Sequence, residues 1–104
     1  MRRLAAAQFA FYSAIPAFGS VLADQERLPV LKPVVAQEAT WRRALAAAAV
    51  GEDGPTADAL AAMVAHGSFD AFTRQGLEPD AAAARVADIA NAWLDTLDSM
   101  EICR

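Results

Sequence analysis

Alanine makes up about a quarter of this chain and falls in runs such as Ala5–Ala7, Ala46–Ala49 and Ala81–Ala84. That feature decides the fold class. A methyl side chain loses no rotamer freedom when the backbone coils, so alanine is the strongest helix former and a poor strand former. With 104 residues, 56% of them hydrophobic, the chain has the size of one domain and can bury a modest core. The expectation is an all-α fold in a single domain over residues 1–104.

Prolines and glycines divide the alanine background. Leu4 to Ile15 carries Leu4, Phe9, Phe11, Tyr12 and Ile15, a surface apolar on more than one side, and Pro16 with Gly19 breaks it. A short helical piece from Ser20 to Arg27 ends at Leu28-Pro29, because the residue before a proline is pushed out of the helical region. A second helix is expected from about Val30 to Val50, with Pro33 in its first turn and Leu31, Val34 or Val35, Trp41, Leu45 and Ala49 at near-helical spacing. Glu38 and Arg42, four residues apart, read as an ion pair on its outer face.

Gly51-Glu52-Asp53-Gly54-Pro55 is the clearest loop. A third helix follows from about Thr56 to Gln75, and since only Asp58 is polar between Ala57 and Ala65, it is expected to be the most buried. Gly76 marks its end, and Pro79-Asp80 opens a fourth helix that runs to about Met100. There Ala82, Val86, Ile89, Trp93, Leu97 and Met100 share one side, opposite Arg85, Asp88, Asn91, Asp95 and Asp98. The whole reads as four main helices in an antiparallel bundle, the first broken near Pro16. The apolar side of the fourth helix calls for a partner, and Gly67 and Ala71 in the third would let helices approach closely. A homodimer through Gly67, Ala71, Val86, Ile89, Trp93 and Leu97 is the expectation.

The net charge is −4, and the nine Lys and Arg are scattered from Arg2 to Arg104. Nucleic-acid affinity rests on a basic face that displaces counterions from phosphates, so no direct nucleic-acid contact is expected. Cys103 is the single cysteine, which excludes an intrachain disulfide and favours a reducing compartment. Gln8, Ser13 and Pro16 interrupt the best apolar run, so no membrane span is expected. Met1-Arg2-Arg3, the apolar stretch to Phe18 and Val21-Leu22-Ala23 resemble a secretory signal cleaved after Ala23. The polar Gln8, Tyr12 and Ser13 make it a poor one. Retention of Met1 to Ala23 in a cytoplasmic protein is the primary expectation, and export is the alternative.

No catalytic constellation emerges. His66 and Cys103 are separated by a loop and a helix, no metal-ligand spacing such as H-x-x-x-H or C-x-x-C occurs, and no glycine-rich phosphate loop is present. The paired acids Glu52-Asp53 and Asp95 with Asp98 read as solvated. The chain is read as a non-enzyme without a cofactor or a metal. Its aromatics suit either a filled core or a pocket between helices walled by rings, with His66, Tyr12 and Gln37 as the polar groups.

Leu60 to Phe72, Gly76 to Ala84 and Val86 to Leu97 resemble the C-terminal half of TetR-type transcriptional regulators. Phe9 to Leu22 and Pro33 to Leu45 resemble the helices that wall the effector pocket in that family. The three-helix DNA-binding domain of those regulators has no counterpart in the stretch ahead of these helices. The resemblance thus implies dimerisation and binding of a small apolar effector, at Phe9, Tyr12, Trp41, Val64, His66 and Phe69, rather than contact with DNA. The competing expectation is a helical protein–protein association module.

Overall fold

A computed structural model describes residues 1–102, with side chains through Ser99. Met100 as a core side chain and Cys103 lie outside the described residues. The chain is all-α, with α1 (Arg2–Ala14), α2 (Phe18–Asp24), a 3-10 turn (Pro29–Leu31), α3 (Lys32–Val50), α4 (Pro55–Met63), α5 (His66–Arg74) and α6 (Pro79–Ile102), and no strand among the described residues.

The punctuation acts where the sequence places it. α1 stops at Ile15, whose backbone at φ −126° and ψ 73° has left the helical region, from which the ring of Pro16 excludes its predecessor. α3 carries Pro33 in its first turn and ends at Gly51, which takes a left-handed φ of 79° while its N–H bonds back to the Ala47 carbonyl. Such a cap suits glycine because it has no Cβ to clash. Pro55 and Pro79 each stand at the start of a helix, where a missing N–H costs nothing.

The expected third helix is two helices. Ala65, at φ −70° and ψ 165°, leaves helical geometry and caps α5. Ala57, Leu60, Ala61 and Val64 keep one helical phase and are buried, but the next large apolar residue, Phe69, falls out of that phase. A straight helix of twenty residues, roughly 30 Å long, would carry the aromatics away from the core. The break lets α4 pack on α3 while α5 packs on α1 and α6. This pair is also not the most buried: α5 has no fully buried residue, whereas α1 buries Leu4, Ala5, Gln8, Phe9 and Tyr12.

α1 is the centre of the fold. It runs along α6, and Leu4, Ala5 and Phe9 share one buried cluster with Ala82, Ala83, Val86, Ala87 and Ala90. Small side chains let helix axes approach closely, and the middle of this seam is dry; only at its end, between Arg2, Ala6, Asp80, Ala83 and Ala84, does a space of about 240 Å³ remain. Val86, expected on a dimer face, is therefore inside the chain's own core, 4% exposed. Trp93 is half-buried against the same cluster, Leu97 is half-buried, and Ile89, Gly67 and Ala71 are on the surface.

The orientation of α3 reverses the expectation. Glu38, placed on the outer face by its spacing from Arg42, is buried, while Val34, Trp41 and Leu45 are exposed. Glu38, Arg42 and Ala46 form the inner face, and the apolar stripe lies about a quarter turn around the helix from it. The molecule measures 49 × 30 × 18 Å, about two helices thick, so no further layer covers that stripe.

Candidate functional site

Two features meet where α1, α2 and α3 converge, a buried polar cluster and an open apolar groove. The cluster begins with Gln8 and Tyr12, four residues apart on α1 and so on one face. Across from them Glu38 and Arg42 have the same spacing on α3. The Tyr12 hydroxyl donates to Glu38 Oε1 at 2.7 Å, and Gln8 Nε2 lies 2.8 Å from that oxygen and 3.0 Å from the hydroxyl. Arg42 Nη1 donates to Glu38 Oε2 at 2.9 Å and reaches Oε1 at 3.1 Å and the Tyr12 oxygen at 3.2 Å.

The Glu38 side chain is 8% exposed and that of Arg42 16%. A carboxylate so far from water is tolerable only with compensating donors, and three side chains supply them here. Arg42 Nε is the exception, buried with no hydrogen-bond partner. Burial is the main cause that pushes the Tyr12 hydroxyl above the usual tyrosine range; its bond to Glu38 pushes the same way, against the opposing bonds from Gln8 and Arg42.

Beside the cluster runs a groove of about 990 Å³. Phe11 and Ile15 from the end of α1 and Phe18 and Val21 from α2 form one wall; Val34, Gln37, Thr40, Trp41 and Ala44 from α3 form the other, with Glu38 at its margin with the polar cluster. Trp41 is 62% exposed. The Pro16 break creates the first wall, because α2 turns away from α1 at 82° and brings Phe18 edge-on to Phe11 with ring centroids 5.8 Å apart. The cavity is at the upper end of the size range of small-molecule sites, and its composition, apolar walls with a few polar groups, is theirs.

Of the residues expected to bind an effector, Trp41 alone lines this groove, joined by Gln37 from the wider set of expected polar groups. Phe9, Tyr12 and Val64 are at most 1% exposed and belong to a filled core. Phe69 meets Phe9 edge-on at 5.4 Å, and His66 meets Tyr12 edge-on at 5.2 Å. His66 is not mid-helix but the first residue of α5, pressed against Gly19, where an added Cβ would lie 3.2 Å from its Cε1. The structure thus brings five of the six together as packing and separates Trp41 from them.

Phe11, Ile15, Phe18 and Val21 belong to the Phe9 to Leu22 stretch expected to wall a pocket, but none is among the six expected contact residues. Their signal was present: they flank Pro16, and a bend there must turn their side chains toward a common side. Among the described residues no group of His, Cys, Asp and Glu is arranged to hold a metal ion. No single described helix is long and apolar enough to cross a membrane, although α1 and α2 together, bent as they are, reach that length and composition. No family model matches the chain, and no curated protein or solved structure matches it either.

Proposed function

We propose that this chain is an effector-binding module that takes up a small apolar or amphipathic molecule in the groove between α1, α2 and α3. The observation that carries the reading is the groove itself: aromatic and aliphatic side chains from three helices face one another across about 990 Å³ with Trp41 left 62% exposed. Apolar surface of that kind costs free energy in water unless something covers it. The resemblance to TetR-type regulatory domains implies the same role, with the site moved from the core to the α3 face. Trp41 is the reporter. A ligand at a hundredfold excess over its dissociation constant stabilises the fold by about 2.7 kcal/mol and changes Trp41 emission, while Trp93, on α6, responds less. Single-tryptophan variants Trp41→Phe and Trp93→Phe separate the two signals, and a panel of hydrophobic compounds that moves neither the melt nor Trp41 disposes of the reading.

Homodimerisation is part of the proposal. With Val86 used in the core, the seam reduces to Ile89, Gly67 and Ala71, with the half-buried Trp93 and Leu97. Light scattering that shows a monomer at micromolar concentration rejects it. A second reading, a surface for another protein, is supported by Leu28, Val30 and Leu45, which are exposed but are not part of the groove lining.

A further inference from the structure

We infer that the groove selects a hydrophobic cation, such as a quaternary or protonated amine carried on an apolar body. The inference rests on the effector-binding reading and names the ligand class. Among the described residues the groove wall holds one charged residue, Glu38, and no Lys or Arg. Arg42, the partner of Glu38, approaches it from the next turn of α3, with Nη1 on both carboxylate oxygens, and is not part of the lining. Glu38 Oε1 accepts from Gln8, Tyr12 and Arg42, whereas Oε2 accepts only from Arg42 Nη1. A carboxylate oxygen can accept more than one bond, which leaves Oε2 capacity for an N–H donor.

The other walls point the same way. Phe11, Phe18 and Trp41 are three π systems around one space, and the face of an aromatic ring attracts cations, tryptophan most strongly. The exposed Gln37 and Thr40 are neutral, so an anion in the groove would find aromatic rings and a carboxylate, with the nearest positive group, Arg42, outside the lining and engaged with Glu38. The net charge of −4 adds a weak, salt-screened bias in favour of cations.

The test uses two ions of one shape and opposite charge, tetraphenylphosphonium and tetraphenylborate, titrated calorimetrically into the intact chain. The expected result is phosphonium binding about tenfold tighter than borate, with the ratio shrinking at high salt. Trp41→Leu keeps the apolar wall and removes the ring face, so it weakens the phosphonium more than the borate. Glu38→Gln lowers the ratio further; should that variant fail to fold, the ratio in the unmodified protein and in Trp41→Leu still decides. Equal binding of the two ions, or tighter binding of the borate, overturns the charge selection and leaves an apolar groove that takes either. If neither ion nor any neutral hydrophobic compound binds, the effector-binding reading itself fails, and the cation inference goes with it.

Discussion

α1 makes two seams with opposite chemistry. Against α6 it shares a buried cluster of alanines and Val86, with the charged Arg2 and Asp80 only at the end of the seam, and this is the most extensive helix contact of the fold. Against α3 it touches over a shorter stretch, and the contact is made by Gln8 and Tyr12 on Glu38 and Arg42. Alanine lets helices close until no space is left. Long polar side chains that must satisfy one another hold helices at arm's length, and the space left beside them is the groove. The difference separates the part of the molecule built for stability from the part available for binding.

The largest effect is expected in the dry region. Phe9 is fully buried and meets Phe69 edge-on, and Phe9→Ala should cost about 3 to 5 kcal/mol, the removed surface plus the cavity. Ala87→Leu, on the α6 side, should cost about 1 to 3 kcal/mol by overpacking the fully buried part of the seam, away from the space beside Ala83 and Ala84. Urea denaturation measures both. If Ala87→Leu is neutral, the seam is looser than its buried alanines indicate and the comparison weakens.

The polar seam should respond to charge rather than volume. Glu38→Gln leaves Arg42 without its counter-ion, at a cost of about 1 to 3 kcal/mol, reduced by the 16% of the Arg42 side chain that reaches solvent. The double variant Glu38→Met with Arg42→Met removes both charges and should recover most of that loss, because a buried pair is often replaceable by apolar packing. Equal destabilisation in single and double variants would mean that the pair contributes shape and not charge compensation.

This asymmetry also marks what the sequence can convey. Helix ends were legible because Pro16, Gly51, Pro55, Gly76 and Pro79 act locally, through their own backbones. The polar side of α6 was legible because Arg85, Asp88, Asn91, Asp95 and Asp98 are all exposed, a direct result of 3.6-residue periodicity. The break at Val64 and Ala65 carries no proline or preceding glycine, and only the phase slip from Val64 to Phe69 announces it. The inversion of α3 was not legible from α3 alone. An i, i+4 ion pair normally belongs to solvent, and what buries this one is a matching pair on another helix, Gln8 and Tyr12. Trp41 could be assigned to a wall from sequence, but not the side of the wall on which the space lies.

Tyr12 gives a smaller, pH-dependent effect. Its hydroxyl ionises above the usual range in the folded chain, chiefly through burial, so the native state holds the proton more tightly than the unfolded state does. The stabilisation is fully present below the unfolded tyrosine value near 10 and is lost as pH rises through the higher folded value. Stability should therefore fall above about pH 10, and Tyr12→Phe should flatten that fall while giving up hydrogen bonds to Gln8, Glu38 and Arg42 at all pH values. A slope unchanged by Tyr12→Phe assigns the alkaline loss to other groups.

The smallest expected effect on stability belongs to the residue with the largest expected effect on binding. Trp41 is 62% exposed and makes no side-chain hydrogen bond among the described residues, so Trp41→Ala should shift the unfolding free energy by no more than about 0.5 kcal/mol, the range of an ordinary surface substitution. It also opens one wall of the groove, and the thermal stabilisation produced by a groove ligand should disappear. Phe9→Ala is the opposite case: a large loss of stability with the ligand-induced shift retained wherever the variant is folded, because Phe9 does not line the groove. The two substitutions cross the comparison between the dry and polar sides of α1. Should Trp41→Ala destabilise by several kcal/mol, the indole is packed in solution against something that covers it, and the α3 stripe is then an interface rather than an open groove. A concentration-dependent melting temperature in the unmodified chain, absent in Trp41→Ala, would identify that cover as a second copy.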